Sequence, residues 1–296
     1  MNTLLRTTVL VLLVCTADQG QGALIVQSYS PERHDRFVNS PEFVGSGFDW
    51  SGVGRSNTGA WGTLVSPSHV IGASHAATNG TLRFYLSNDP NGAYVERNVL
   101  SGTAIANSDL YLATLDAPIT SGVGIFPLAA LATTNALLGQ TIFTYGLAAS
   151  GTPQTNMRVG RNTVDSVLSD FSHPNLGASH GDIFLFDFDS PGGVGADESH
   201  VQSGDSGAPS FVVVNGVPAV VGIHWFMYEG DSLGDLGSGD TLVSSFLDAL
   251  DSAMTGERAT TVTLTAVPEG AALPCSLMVL GIQRLVRRYR RTRELR

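Results

Sequence analysis

The 296-residue chain has no lysine and only two cysteines, and charged residues make up 14% of it. Its positive charge is therefore arginine alone, and seven of those arginines crowd into the final stretch from Arg284 to Arg296. Between residues 24 and 267, eight arginines face 23 aspartates and glutamates, a formal charge of −15 against −10 for the whole chain. Such a surface repels DNA, RNA and anionic membranes, which argues against nucleic acid as a partner of this span. Cys15 and Cys275 both fall in terminal segments that read as targeting sequence. The domain between them is expected to hold no disulfide, despite an oxidising compartment, and to rely on its core. Metal-binding patterns are missing too. His69 precedes His75 by six residues without a Glu-x-x-His context and reads as structural. The acidic, glycine-rich stretch with Glu229, Asp231, Asp235 and Asp240 lacks the spacing of a calcium loop and reads as solvated turn. No metal and no cofactor is expected.

What the chain does have is glycine, 34 residues of it, and a hydrophobic content of 43%. Short runs rich in Val, Thr, Phe and Ile span 81–86, 140–145, 183–188 and 210–214, separated by Gly, Pro, Asn and Asp turns. That pattern predicts an all-β sandwich or barrel. One helix is expected, over 244–254, where Phe246, Leu247, Leu250 and Met254 share a face. No internal repeat is evident.

Both ends read as sorting segments. Residues 1–23 carry Arg6, an apolar run from Val9 to Val14 and then small and polar residues, the layout of a secretory signal peptide. At the other end Val267-Pro-Glu-Gly270 is followed by an apolar stretch to Ile282 and the arginine tail. This end resembles a PEP-CTERM sorting signal, with Gly270 in place of the second proline, and the resemblance implies processing by an exosortase. The apolar stretch is shorter than the roughly 20 residues that cross a bilayer as a helix, and Pro274 and Gln283 interrupt it. An amphipathic tail whose arginines attract anionic lipid or nucleic acid stays open as the alternative.

The most informative segment is Gly204-Asp-Ser-Gly-Ala-Pro209. A serine hydroxyl becomes a useful nucleophile only when a base removes its proton and backbone N–H groups receive the oxyanion. Flanking glycines allow the tight turn that exposes the serine. A base and an orienting acid have candidates upstream. Residues 61–75 read as a hairpin and a buried strand that delivers His75 at its end. Asp109 opens the alternating apolar strand Leu110-Tyr-Leu-Ala-Thr-Leu115, and is preferred to Asp116, which stands at a strand exit before Ala117-Pro118.

These three segments, Ala73-Ser-His-Ala76, Asp109-Leu110 and Gly204 to Pro209, resemble the trypsin-like (chymotrypsin-fold) serine peptidases, in that family's order of His, Asp and Ser. The resemblance covers residues 55–250. It lacks the family's cysteine after the histidine, where Ala76 stands. It implies two six-stranded antiparallel β-barrels within residues 24–260, meeting near residues 120–138, with a short closing helix and with 261–296 as linker and tail. By the same resemblance His75, Asp109 and Ser206 are catalytic, the N–H groups of Gly204 and Ser206 form the oxyanion hole, and the partner is a protein or peptide substrate.

Residues around Ser206 are then expected to select the substrate. His200 stands where trypsin has its aspartate, so no preference for basic residues follows. Val221-Gly-Ile-His-Trp225 resembles the strand of bacterial glutamyl endopeptidases whose histidine contacts a substrate glutamate, and Ser203 matches a hydroxyl of that pocket. His200, Ser203 and His224 are thus candidate substrate-binding residues, and cleavage after Glu is the expected preference. A half-buried His224 bonded to backbone is the competing reading, and Val201, Phe226 and Met227 depart from the open pocket of those enzymes. The overall expectation is an exported serine endopeptidase. The alternative is a non-catalytic envelope or matrix protein that keeps the fold and binds peptides.

Overall fold

The computed structural model describes residues 22–172, 176, 180–189, 192–229 and 236–266. The leader and the arginine tail, with both cysteines, lie outside these residues, as do Asp231 and Asp235. The first half of the chain is one closed antiparallel barrel of six strands: β2 (Val53–Ser56), β3 (Trp61–Ser66), β4 (His69–Ala73), β5 (Thr81–Tyr85), β6 (Tyr94–Ala104) and β7 (Leu110–Leu115). Its order is β2-β3-β4-β7-β6-β5, with β5 closing back on β2. Closure leaves no unpaired edge. Inside it pack Leu64, Val70, Leu82, Phe84, Ala113 and Leu115, every second residue of their strands, as the period of two requires.

From β8 (Leu128–Leu131) onward the strands, β13 excepted, belong to a second, nine-stranded sheet. Its main path runs through β10 (Met157–Thr163), β9 (Thr141–Leu147), β14 (Pro209–Val214), β15 (Val217–Glu229), β16 (Leu236–Leu242), β12 (His180–Asp187) and β11 (Ser166–Ser172). β8 pairs in parallel with β15 and with β17 (Thr261–Leu264). Among the described residues β10 and β11 do not pair with one another, so a second closed six-stranded barrel, expected from the sequence, is not what the pairing gives. Two of its strands, β8 and β17, lie off the main path, joined by parallel pairing of β8 on β15 and of β17 on β8, and neither short run is among the strands read from the sequence.

The two halves share one apolar core. Trp61, Ile71, Leu110 and Leu112 of the barrel pack with Tyr145, Leu147, Met157, Phe211, Val220 and Ile223 of the sheet. Trp50 sits among them, 2% exposed, with Phe211 and Tyr145 rings at 5.2 and 5.4 Å, and its indole N–H donates to the Gly45 carbonyl at 2.6 Å. Each such ring contributes roughly 1.5–3 kcal/mol by burial alone, enough to bind the halves into one unit. The expected helix at 244–254 begins as a 3-10 turn, Val243–Phe246, and becomes α-helical only over α2 (Leu247–Ala253). At the start of the chain, β1 (Ile25–Val26) pairs with β13 (Ser199–His200), and α1 (Pro31–His34) follows it. An ionic network fixes this N-terminal strap. Arg33 grips Asp197 through two bonds at 2.5 and 2.7 Å, and Arg158 pairs with Asp35 at 2.7 Å.

Candidate active site

Strand register brings the first two candidates together. Ala73 of β4 pairs with Leu110 of β7, so the residues just past one strand meet the residue just before the other. Ser74 N–H donates to the Asp109 carbonyl at 2.6 Å. The Asp109 carboxylate, 1% exposed, then takes His75 at two points: Oδ1 accepts its backbone N–H at 3.0 Å, and Oδ2 bonds Nδ1 at 2.6 Å. The turn before Asp109 is fixed by Asn107 in the left-handed region, which Asn tolerates, and by Ser108, whose hydroxyl donates to the Ile105 carbonyl and accepts from Leu110 N–H. Bonding at Nδ1 fixes the ring's orientation and leaves Nε2 as the working nitrogen. The His75 side chain is 34% exposed, and among the described residues Nε2 bonds no protein group.

The third candidate arrives from the other half on a tightly tied loop. Asp205 is fully buried, its Oδ1 accepting Leu147 N–H and its Oδ2 accepting Gln202 N–H, both at 2.7 Å. Its own N–H returns to the Gln202 carbonyl, its carbonyl accepts from Ala208 N–H, and Gly207 N–H donates to the His224 carbonyl. Trp61 of the barrel reaches over to donate its indole N–H to the Gly204 carbonyl at 3.0 Å. Gly204 and Gly207 both have positive φ, 98° and 85°. At Gly207 the space is also closed, since a Cβ there would stand 3.1 Å from the backbone nitrogen of Ala73, two residues before His75. The loop therefore rests against the end of the strand that delivers His75.

One consequence of these ties concerns the oxyanion. The N–H groups of Asp205, Gly207 and Ala208 are all spent inside the fold. Those of Gly204 and Ser206 donate to no protein acceptor among the described residues, so two backbone donors flanking the serine are free. Burial pushes the Asp205 carboxyl up to about 7, against the two N–H groups it accepts and the charges of His224 and Arg55.

The expected specificity residues are placed differently. His224 is fully buried. Its Nδ1 bonds Asp240 at 2.7 Å and its Nε2 donates to the Tyr145 carbonyl at 2.8 Å, so neither nitrogen can meet a substrate carboxylate. Asp240 lies inside β16 opposite His224 and not in the solvated turn expected for it, and its bond to Nδ1 is what takes His224 away from the glutamate-reading role. His200 is buried beside Gly237 and Gln202. Ser203 is half-buried, and its carbonyl accepts from Gly22 N–H. His69 bonds Ser66 at 2.8 Å and Glu257 at 3.2 Å, and Asp116 caps the exposed Asn98 backbone and side chain. Sequence reasoning did not find Trp61, Leu147 or Gln202, whose backbone or ring groups hold the serine loop. Only the Trp in the hairpin before His75 offered a signal. Among the described residues no cluster of His, Cys, Asp or Glu can hold a metal ion, and no helix is long and apolar enough to cross a membrane. No protein-family model and no curated protein matches the chain.

Proposed function

We propose that the chain is a serine endopeptidase of the trypsin-like kind, its nine-stranded sheet standing in for the family's second barrel. In this reading His75 Nε2 takes the proton of Ser206 Oγ as that oxygen attacks a peptide carbonyl. Asp109 stabilises the imidazolium and keeps its Nδ1 hydrogen in place. The N–H groups of Gly204 and Ser206 hold the oxyanion of the tetrahedral intermediate. His75 returns the proton to the leaving amine, and water, activated by the same ring, then releases the acyl group from Ser206.

The observation that carries this reading is the two-point hold of a buried carboxylate on a partly exposed histidine whose other nitrogen bonds no protein group among the described residues, with a serine loop of two free N–H groups packed on the same strand end. A histidine kept only for packing has no need of an unbonded, accessible nitrogen. The signal-peptide-like leader and the PEP-CTERM-like tail support export or attachment to the cell envelope, with exosortase-type processing near residues 267–270 as part of the proposal. The test is turnover of a quenched peptide library by the purified protein and by Ser206→Ala. Turnover by the wild type alone is expected, and equal turnover by both overturns the assignment.

A further inference from the structure

The turn that presents Ser206 also walls a cavity of about 410 Å³. His200 and Gln202 form one side of it, and Met227, Tyr228, Leu236 and Ile25 form the rest, with Glu229 at its exposed edge. Gln202 belongs to both features. Its backbone N–H and carbonyl both bond Asp205, the residue before the serine, while its side chain lines the cavity. A group bound there touches the residue that ties down the turn before the serine.

The chemistry of the wall is settled by where its donors go. The Gln202 side-chain amide gives one hydrogen to the Val201 carbonyl at 2.8 Å and the other to His200 Nδ1 at 2.6 Å. That makes Nδ1 an acceptor, so the ring's hydrogen sits on Nε2 and goes to the Gly237 carbonyl at 3.1 Å. The Tyr228 hydroxyl donates to Asp187. Burial drives the His200 pKa down to about 4, so the ring is uncharged at neutral pH. The wall thus offers apolar surface, no cation and no uncommitted donor among the described residues. A carboxylate entering it loses its water and gains nothing in return. Glu229, being exposed, exerts only a weak pull on a cation.

Resting on the peptidase reading, we infer that this cavity receives an uncharged apolar side chain of the substrate, of leucine or methionine size, and turns away aspartate and glutamate. Met227 provides a readout that does not depend on turnover. The protein, labelled with [13C]methyl-methionine and assigned with Met227→Leu, is titrated with N-acetyl-leucinamide and with the α-amide of N-acetyl-glutamate. The Met227 methyl is expected to respond to the leucine compound with an affinity at least roughly tenfold above that for the glutamate compound. Equal affinities, a preference for glutamate, or a Met227 signal that moves with neither overturns the inference. Leu236→Arg, which places a cation in the wall, is expected to shift that ratio at least roughly tenfold toward glutamate; an unchanged ratio in a folded variant counts against the cavity. Fluorophosphonate labelling of the same sample separates the two readings. A labelled Ser206 beside an unresponsive Met227 overturns the cavity alone, and a responsive Met227 beside an unlabelled Ser206 overturns the peptidase and leaves the cavity's selectivity standing.

Discussion

Two histidine–aspartate pairs of nearly equal length lie in the two halves of the molecule, His75–Asp109 at 2.6 Å in the barrel and His224–Asp240 at 2.7 Å in the sheet. In both, a buried carboxylate binds Nδ1. They differ at the other nitrogen. His75 Nε2 bonds no protein group among the described residues and its side chain is 34% exposed, whereas His224 Nε2 is closed off by the Tyr145 carbonyl and its ring is fully buried. A proton can be exchanged with a substrate only at the first pair. At the second, deep burial works against the charged ring, but the charge and hydrogen bond of Asp240, the charge of Asp205 and the Tyr145 carbonyl overcome it and raise the pKa. Two rings with the same kind of acid partner thus stand in opposite settings: one keeps a nitrogen unbonded by the protein, and the other is a strut with both nitrogens tied.

Substitutions sharpen this contrast, beginning with the largest effect. His75→Ala and Ser206→Ala are each expected to lower kcat/KM by as much as about 10⁶-fold, with thermal unfolding little changed, because neither residue is buried in the core. Asp109→Asn is expected to cost about 10⁴-fold, since the amide can favour the wrong ring tautomer. Steady-state kinetics beside calorimetry checks all three. At the second pair the order reverses. Asp240→Ala leaves the buried His224 Nδ1 without its partner, and a stability loss of about 1–3 kcal/mol is expected in denaturant unfolding. The fraction that stays folded should retain its turnover.

The pH dependence separates the pairs further. A raised pKa in the folded state means that the contribution of His224 is complete below the ordinary histidine value of about 6.5. It is lost as pH climbs through the raised value. Asp205, pushed up to about 7 by burial, acts with the same sign, its contribution being present below the ordinary carboxylate range and lost as pH rises toward 7. The melting temperature is therefore expected to fall from about pH 4 toward neutrality, and Asp205→Asn to flatten that fall by a few kcal/mol at most. A slope unchanged in Asp205→Asn refutes the assignment to this carboxyl. The smallest effect concerns Glu257, which accepts from the Ser66 hydroxyl and from both the N–H and hydroxyl of Ser68 at the turn leading into β4. Glu257→Gln is expected to cost about 1 kcal/mol and to leave the His75 geometry, and so kcat, unchanged.

The barrel half was the more legible from sequence. β5 carries part of the period of two, and Leu110 to Leu115 announces both a strand and the acid that opens it. The serine loop was legible because its chemistry is local: the two glycines, the buried acid and the serine are neighbours in the chain. The fate of His224 was not, because it depends on Asp240, sixteen residues on, crossing a hairpin to face it. Burial on both faces also hides a strand's direction. Ile183 to Phe186 and Val220 to His224 are fully or almost fully enclosed, so no polar alternation marks which side chains point where. The same holds for the ties on the serine loop. Leu147 and Gln202 act through backbone N–H groups, which any residue has, and composition carries no trace of them.

The central claim is that Ser206 is activated by His75, and covalent labelling tests it most directly. Intact mass spectrometry of the purified protein after treatment with a fluorophosphonate is predicted to show one adduct per chain, absent in Ser206→Ala and formed at least about 10³-fold more slowly in His75→Ala. A folded wild type that takes up no label, or an adduct that persists in Ser206→Ala, would contradict it.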